Sequence, residues 1–349
     1  MADIVEEINA TYEGLADIER EFEDVETEIS LLPTSSGFCV DMLSVRQQYV
    51  LTKPIYEKRE KLVAKIPNFW PLVVEQAPPD IDQYIQPSDS AVLLSSLDSI
   101  AVSHFEIENG GKGEPRSIAI KMEFKENEYF EDKVLEKKFW YRRSKFGSAG
   151  LVSEPVPIKW KAGKDLTQGL LDLTVKVWEH DKKQAQANGA SKDKKKHKPE
   201  DWTADQKALR EKIDTFGLGG VSFFCWFGYR GEDISAEESA IAVQEDKKRR
   251  ADKAEGKDTD AKEAAEEEDD EDDDEDEDDP LALEIFPDGD DLAISFSEDL
   301  WPTAIKYFTQ AQEADAISDF DFEDDDEEMN EGENDDDGDE APPLKKRKA

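Results

Sequence analysis

Long acidic runs are the residues of this chain whose types and spacing most clearly suggest a chemical role. Every residue from 266 to 279 is Asp or Glu, and a second acidic block covers 319–340. Dense carboxylates bind calcium weakly, but no EF-hand spacing organises them here. They also imitate the phosphates of nucleic acid, and many weak contacts together bind a strongly basic protein. A third interpretation, in which the runs only keep the protein soluble, stays open at this point.

A compact basic cluster follows the second acidic block. Pro342 and Pro343 keep the chain extended, and the next residues are almost all basic. This pattern is typical of a nuclear import signal, so we expect a nuclear protein, with shuttling to the cytoplasm left open. Electrostatic binding back to the acidic tail is the alternative. The candidate import residues are Lys345, Lys346, Arg347 and Lys348.

Signatures of catalysis and of cofactor binding are missing from the sequence. The glycine-rich stretch Gly217–Ser222 lacks the Gly-Lys-Ser/Thr ending of a phosphate-binding loop. Two cysteines, Cys39 and Cys225, cannot build a disulfide framework, and the three histidines have no metal-ligand spacing. We therefore predict that the protein is not an enzyme and that it needs no cofactor and no metal.

The net charge of −43 is unevenly distributed along the chain. Residues 1–230 hold 39 acidic and 32 basic residues, whereas 231–349 hold 48 and 12. A polyanion repels both the DNA backbone and anionic lipid, and no apolar run reaches the roughly 18 residues that span a bilayer. These features exclude membrane attachment and direct sequence-specific binding of nucleic acid. Like charges also repel one another, so we expect an acidic insertion, 231–291, to be largely disordered, with a solvated helix at 243–265 left open, and we expect disorder in an acidic tail, 313–349. The basic segment 181–200 is expected to be a flexible loop.

The first 32 residues contain a heptad seam, which is a line of mostly apolar residues along one face of a predicted helix. This helix must position the elements that follow it in the chain. The members of the seam are spaced alternately four and three residues apart, with Thr11 as the one polar member, which predicts a long helix with a narrow apolar stripe. Such a helix needs a partner: either its own domain or, as we prefer, a second copy in a dimeric coiled coil. The apolar seam residues are Ile4, Ile8, Leu15, Ile18, Phe22, Val25, Ile29 and Leu32.

Further elements follow a predicted break at 33–37, where Pro, Ser and Gly interrupt the helical pattern. A second helix is predicted from Asp41 to Ile66, with Pro54 as a kink and an apolar face that includes Leu43, Val50, Ile55 and Leu62. From residue 96 onward, apolar residues recur at every second position. Strands are predicted at 96–107, at 118–124, at 134–142 and at 156–161, joined by short turns as in an antiparallel sheet. Apolar segments 204–227 and 299–312 predict helices that cover the sheet, which gives an α+β fold.

Five blocks of sequence resemble one family in its own order. They are Lys58–Trp70 (KREKLVAKIPNFW), Asn127–Leu135 (NEYFEDKVL), Ile158–Thr167 (IKWKAGKDLT), Ser222–Phe227 (SFFCWF) and Asp299–Pro302 (DLWP). Together they resemble the SET/template-activating-factor branch of the nucleosome assembly protein family of histone chaperones. The resemblance covers residues 1–230 and 292–310.

The resemblance implies a homodimer whose long helices pair, each protomer adding an α/β "earmuff" domain that binds core histones on an acidic underside. The expected organisation is a dimerisation region at 1–70 and an earmuff domain at 71–230 plus 292–312. Phe224, Trp226 and Trp301 are expected to be core residues rather than contacts. The candidate histone contacts are Glu232, Asp233, Glu237, Glu238, Glu298 and Asp299.

Two alternatives to direct histone binding remain. SET-like proteins are associated with inhibition of a phosphatase and with modulation of a histone acetyltransferase, so either enzyme is a possible partner. An acidic solubility protein without a specific partner is the other alternative. The chain also departs from the family pattern at the break 33–37, in the basic segment before Ser222 and in the long acidic insertion.

Overall fold

A computed structural model describes residues 2–30, 38–145, 148–188, 202–217, 220–254 and 282–314. The chain begins with two long helices, α1 (Ala2–Ser30) and α2 (Phe38–Val63). They pack against each other through the seam, where Leu15 and Ile18 are buried and the rings of Phe22 and Tyr56 lie 4.8 Å apart. Both predicted helices are confirmed, and Pro54 lies inside α2. The predicted break at 33–37 lies outside the described residues.

Three short helices lead into the sheet: α3 (Phe69–Glu75), α4 (Pro79–Asp82) and α5 (Pro87–Ser96). The strands are β1 (Leu97–Ser103), β2 (Ile118–Phe124), β3 (Val134–Arg143) and β4 (Ala149–Ser153). They form one antiparallel sheet in the order β1-β2-β3-β4, which confirms the α+β class. A 3₁₀ turn at Glu108–Gly110 lies in the β1–β2 connection.

The fourth strand lies earlier in the chain than its predicted position, 156–161. Pro155 precedes that segment and Pro157 lies within it, and proline has no amide hydrogen for a strand ladder. Instead, the amide of Val156 donates to the carbonyl of Phe227 at 2.8 Å, and Trp160 forms an isolated bridge with Phe130.

The second half of the described chain covers the sheet. It comprises α6 (Leu170–Asn188), α7 (Ala204–Phe216), a 3₁₀ helix (Phe223–Gly228), α8 (Ala236–Ala254), α9 (Gly289–Ser295), a π-helical turn (Phe296–Leu300) and a last helix, α10, at 304–314. All six residues of the 3₁₀ helix are buried, and the indole of Trp226 donates to the carbonyl of Gly289 at 2.8 Å. The core therefore joins the 3₁₀ helix to the segment that follows the acidic run.

Two segments that we expected to be flexible contain helices. α6 continues into the basic segment as far as Asn188, and α8 occupies 236–254 of the acidic insertion. The insertion is also ordered at its other end, where Ile285 and Phe286 are buried. The buried positions of α8 are Ser239, Ala242 and Asp246, and the helix packs on β3 because Ser239 and Asp246 both bind Arg143 of that strand. Residues 189–201, 255–281 and 315–349 lie outside the described structure.

In the parts of the chain that the structure describes, no helix is both long enough and apolar enough to cross a membrane.

Candidate functional site

Four of the predicted acidic contacts lie at the start of α8. Glu232 and Asp233 precede the helix, Glu237 and Glu238 lie in its first turn, and all four are exposed. Glu238 also caps the helix, because its carboxylate accepts from the amide of Ser235 at 2.9 Å while its own amide donates to the Ser235 hydroxyl at 3.1 Å. Glu238 is therefore partly used in folding, whereas Glu237 points its charge outward.

A buried carboxylate positions the loop that carries Glu232 and Asp233. Glu284 accepts hydrogen bonds from the amides of Arg230 and Gly231, at 2.9 and 3.2 Å. Gly231 has a φ of 72°, and an added Cβ would lie 2.9 Å from the carbonyl oxygen of Leu151, so the turn requires glycine. Burial raises the pKa of Glu284, although the three amides that it accepts from lower it. Glu284, which follows the acidic run in the chain, thus shapes the loop that carries Glu232 and Asp233, which precedes the run.

The other two predicted contacts lie on the π-helical turn. Glu298 is exposed, while Asp299 accepts from the Tyr307 hydroxyl at 2.9 Å and from the Thr303 hydroxyl at 3.1 Å. π-Helical turns are frequent at functional sites, because the extra residue re-aims a side chain. The structure therefore brings the six acids together as two groups, four at the start of α8 and two on this turn.

Arg59 attaches the two residues that follow the π-helical turn to the long helix α2. The buried guanidinium donates to the carbonyls of Trp301 and Pro302, at 2.5 and 3.2 Å. Its central carbon also lies 4.8 Å from the ring centres of both Tyr56 and Trp301. Burial lowers the pKa of Arg59 to about 10, so the group stays charged at neutral pH.

The predicted dimerisation residues fall into three sets. Leu15, Ile18 and Ile55 are buried within the single chain, with Phe22, Val25 and Leu62 partly buried against the same core and Ile29 half-exposed. Leu43 and Val50 on α2 are 65% and 70% exposed. Ile4 and Ile8 lie in α1, but their side chains, like all of Leu32, are outside the description. Part of the seam therefore packs on its own domain, which is the alternative that the sequence left open.

Sequence reasoning overlooked the buried charged residues. The Lys137 ammonium donates to three carbonyls, of Glu154, Phe227 and Tyr229, at 3.1, 3.1 and 2.9 Å, and burial lowers its pKa to about 7. Asp89 accepts from the Ser222 hydroxyl at 2.6 Å and from the Phe223 amide at 2.7 Å. A signal did exist for Lys137, since it occupies a core-facing register of β3 between Leu135 and Phe139.

Aromatic and thiol side chains take structural positions. Phe224 and Trp226 are fully buried, as we predicted, and Trp301 is half-buried. Cys225 is buried as well, and burial raises the pKa of its thiol. Among the described residues, no cluster of His, Cys, Asp and Glu is arranged to hold a metal ion. The candidate import residues 345–348 lie outside the described chain.

Comparison with known proteins identifies relatives of the chain. The profile of the Nucleosome assembly protein (NAP) family matches residues 19–311. Protein SET of Drosophila melanogaster is 37% identical over 142 residues, which cover 38% of this chain and 47% of that protein. A Schizosaccharomyces pombe protein, named as a candidate nucleosome assembly protein, is 35% identical over 166 residues, or 44% of this chain and 59% of its own. The chain thus spans about half the length of the curated relatives it matches.

A solved structure aligns with most of the chain. The crystal structure of the Vps75 histone chaperone aligns with 86% of this chain and 98% of its own, with 22% sequence identity and a TM-score of 0.44. The family match extends over most of the chain and includes the sheet, the 3₁₀ helix and the π-helical turn. The chain belongs to the nucleosome assembly protein family.

Proposed function

We propose that this chain is a nuclear histone chaperone with no enzymatic activity of its own. The observation that carries the proposal is the exposure of carboxylates on the folded part of a NAP-family chain, at the start of α8 and on the π-helical turn. These side chains are held by hydrogen-bonded elements, so they offer negative charge at fixed positions rather than a diffuse charge. A fixed surface complements the fixed positive charges of a folded histone pair.

The mechanism has two stages. The acidic runs attract basic histones over distances set by the ionic strength, because their charges act together. The folded surface then holds the histones and competes with DNA for the same basic residues. Release is passive and is driven by the greater stability of a completed nucleosome. The Protein SET relative supports this assignment, while a phosphatase or an acetyltransferase as a partner stays a prediction.

The direct test neutralises the folded acidic surface and leaves the acidic runs intact. A variant with Glu232→Gln, Asp233→Asn, Glu237→Gln and Glu298→Gln is compared with the wild type by calorimetric titration of each core-histone pair. We expect about tenfold weaker binding at roughly 0.15 M salt, since four exposed charge contacts are removed.

A matched control neutralises four other exposed acids, by Glu75→Gln, Asp82→Asn, Glu126→Gln and Glu128→Gln. This variant has the same net charge as the test variant. Equal affinity of the two variants would mean that binding depends on total charge and not on the folded surface. Undetectable binding of core histones by the wild type would reject the chaperone function itself.

A further inference from the structure

A cleft of about 240 Å³ opens beside the loop that carries Glu232 and Asp233. Trp140 and Val152 face each other across strands β3 and β4 and line one side, and Trp178 of α6 lines another. Sites for whole small molecules measure about 300–1,000 Å³, so this cleft suits one long side chain. Its polar lining includes Arg142, Glu154, Arg230, Glu232 and Asp233.

An ammonium group of the chain itself contacts two residues of this lining, Trp178 and Glu154. Lys182 Nζ is 4.2 Å from the centre of the Trp178 ring and 3.3 Å from a carboxylate oxygen of Glu154. An aromatic face with a carboxylate beside it is the chemistry that attracts an amine cation. The Lys182 side chain is 46% exposed, and an exposed ion pair of this kind is weak, so it can be displaced.

The two arginines of the cleft do not oppose a cationic ligand strongly, because each is already paired. A guanidinium nitrogen of Arg142 lies 3.6 Å from a carboxylate oxygen of Glu106. A guanidinium nitrogen of Arg230 lies 3.4 Å from a carboxylate oxygen of Asp181. The carboxylates of Glu232 and Asp233 then add negative charge at exposed positions, and the loop that presents them is fixed by Glu284.

From these contacts we propose that the cleft is a binding pocket for a lysine side chain of an extended cationic polypeptide, and that Lys182 competes with that ligand for Trp178 and Glu154. The inference rests on the proposed function, since it assigns one lysine of the histone partner to a defined place. The alkyl part of the incoming lysine packs between Trp140 and Trp178, and its ammonium takes the place of the Lys182 ammonium.

The first experiment observes the pocket directly. Full-length protein labelled with 5-fluorotryptophan is titrated with a synthetic peptide of alternating lysine and glycine, and the seven tryptophan signals are followed by fluorine NMR. The Trp178 signal is assigned with Trp178→Phe. We expect this signal to shift in a saturable way while that of the fully buried Trp226 stays in place. The same peptide with acetylated lysines should shift neither signal. An unmoved Trp178 signal while the peptide binds elsewhere would overturn the proposal.

The second experiment removes the internal competitor, Lys182. Lys182→Met is compared with Lys183→Met, which makes the same charge change on the same helix, at a lysine that is 75% exposed and pairs with Glu179. Without its competitor, the pocket should bind the lysine peptide about threefold more tightly in Lys182→Met than in Lys183→Met, as expected for one cation–π contact. Equal affinities of the two variants would reject the pocket.

Failure of this inference is distinguishable from failure of the chaperone function. If the wild type binds core histones while Trp178 does not respond and the two lysine variants are alike, only the pocket is wrong. If the lysine peptide behaves as expected while core histones do not bind, the pocket stands and the chaperone function falls.

Discussion

At the scale of single residues, buried charges hold the irregular parts of the fold. Lys137 joins the sheet to the backbone of residues 154, 227 and 229, and Asp89 joins α5 to the start of the 3₁₀ helix. Each charge satisfies several backbone or hydroxyl groups that would otherwise be buried without a partner, which is costly. These residues therefore act as connectors between segments that have no regular hydrogen-bonding ladder in common.

Replacing the Lys137 connector should destabilise the protein. Lys137→Met keeps the length of the side chain but leaves three carbonyls without their donor, so we expect the free energy of unfolding to fall by about 2 kcal/mol. Lys138→Met is the control, because its side chain points to solvent. Urea denaturation measures both. Equal stability of the two variants would contradict the connector role.

The contribution of Lys137 should also depend on pH. Its pKa is lowered from 10.5 to about 7 by burial, so between these values the unfolded chain keeps a proton that the native state has released. The stability of the wild type relative to Lys137→Met should therefore increase as the pH rises from 7 to 10, by up to about 1.4 kcal/mol per pH unit. Below pH 7 the difference should be constant. A difference that is flat across the whole range would show that the pKa is not lowered.

At the scale of elements, Arg59 fixes the relation of α2 to the π-helical turn. We expect Arg59→Lys to reduce the free energy of unfolding by about 2 kcal/mol and to speed amide exchange in 304–314, because lysine has neither the fork of donors nor the flat face that stacks on rings. The measurement is hydrogen exchange followed by mass spectrometry. Arg20→Lys, at an exposed pair with Asp17, is the control and should change neither quantity.

Regular elements were largely predictable from the sequence, and irregular ones were not. The seam of α1 and the alternation in β2 are local periodicities, so the positions of these elements follow from the residues themselves. The bounds of β4 depend on which segment pairs with β3. The position of α8 depends on contacts that Ser239 and Asp246 make with Arg143 of β3. Such long-range partners leave no period in the sequence. The acids of the candidate surface were visible as residue types, but their division into two groups required the fold.

At the scale of the whole molecule, we propose that a second copy pairs with the exposed apolar face of α2. Leu43 and Val50 are seven residues apart and thus lie on one face of the helix. We expect Leu43→Glu with Val50→Glu to convert a dimer into a monomer, as measured by sedimentation equilibrium.

The control for this prediction is Leu94→Glu with Ile241→Glu, which places the same charges at exposed apolar positions on α5 and α8. It should leave the assembly unchanged. A wild-type protein that sediments as a monomer would show that α2 does not pair at all, and dissociation of both variants would show that added charge alone is responsible.

The return of the chain to the core after its acidic run has a practical consequence. Residues 282–314 are buried at Ile285, Phe286, Phe296 and Phe308, and they contact both the 3₁₀ helix and α2. A protease that cuts within 255–281 would therefore leave a nicked protein whose two pieces stay associated. Fragments 1–254 and 282–349, produced separately, should therefore reassemble on mixing, although neither of them contains the acidic run 266–279.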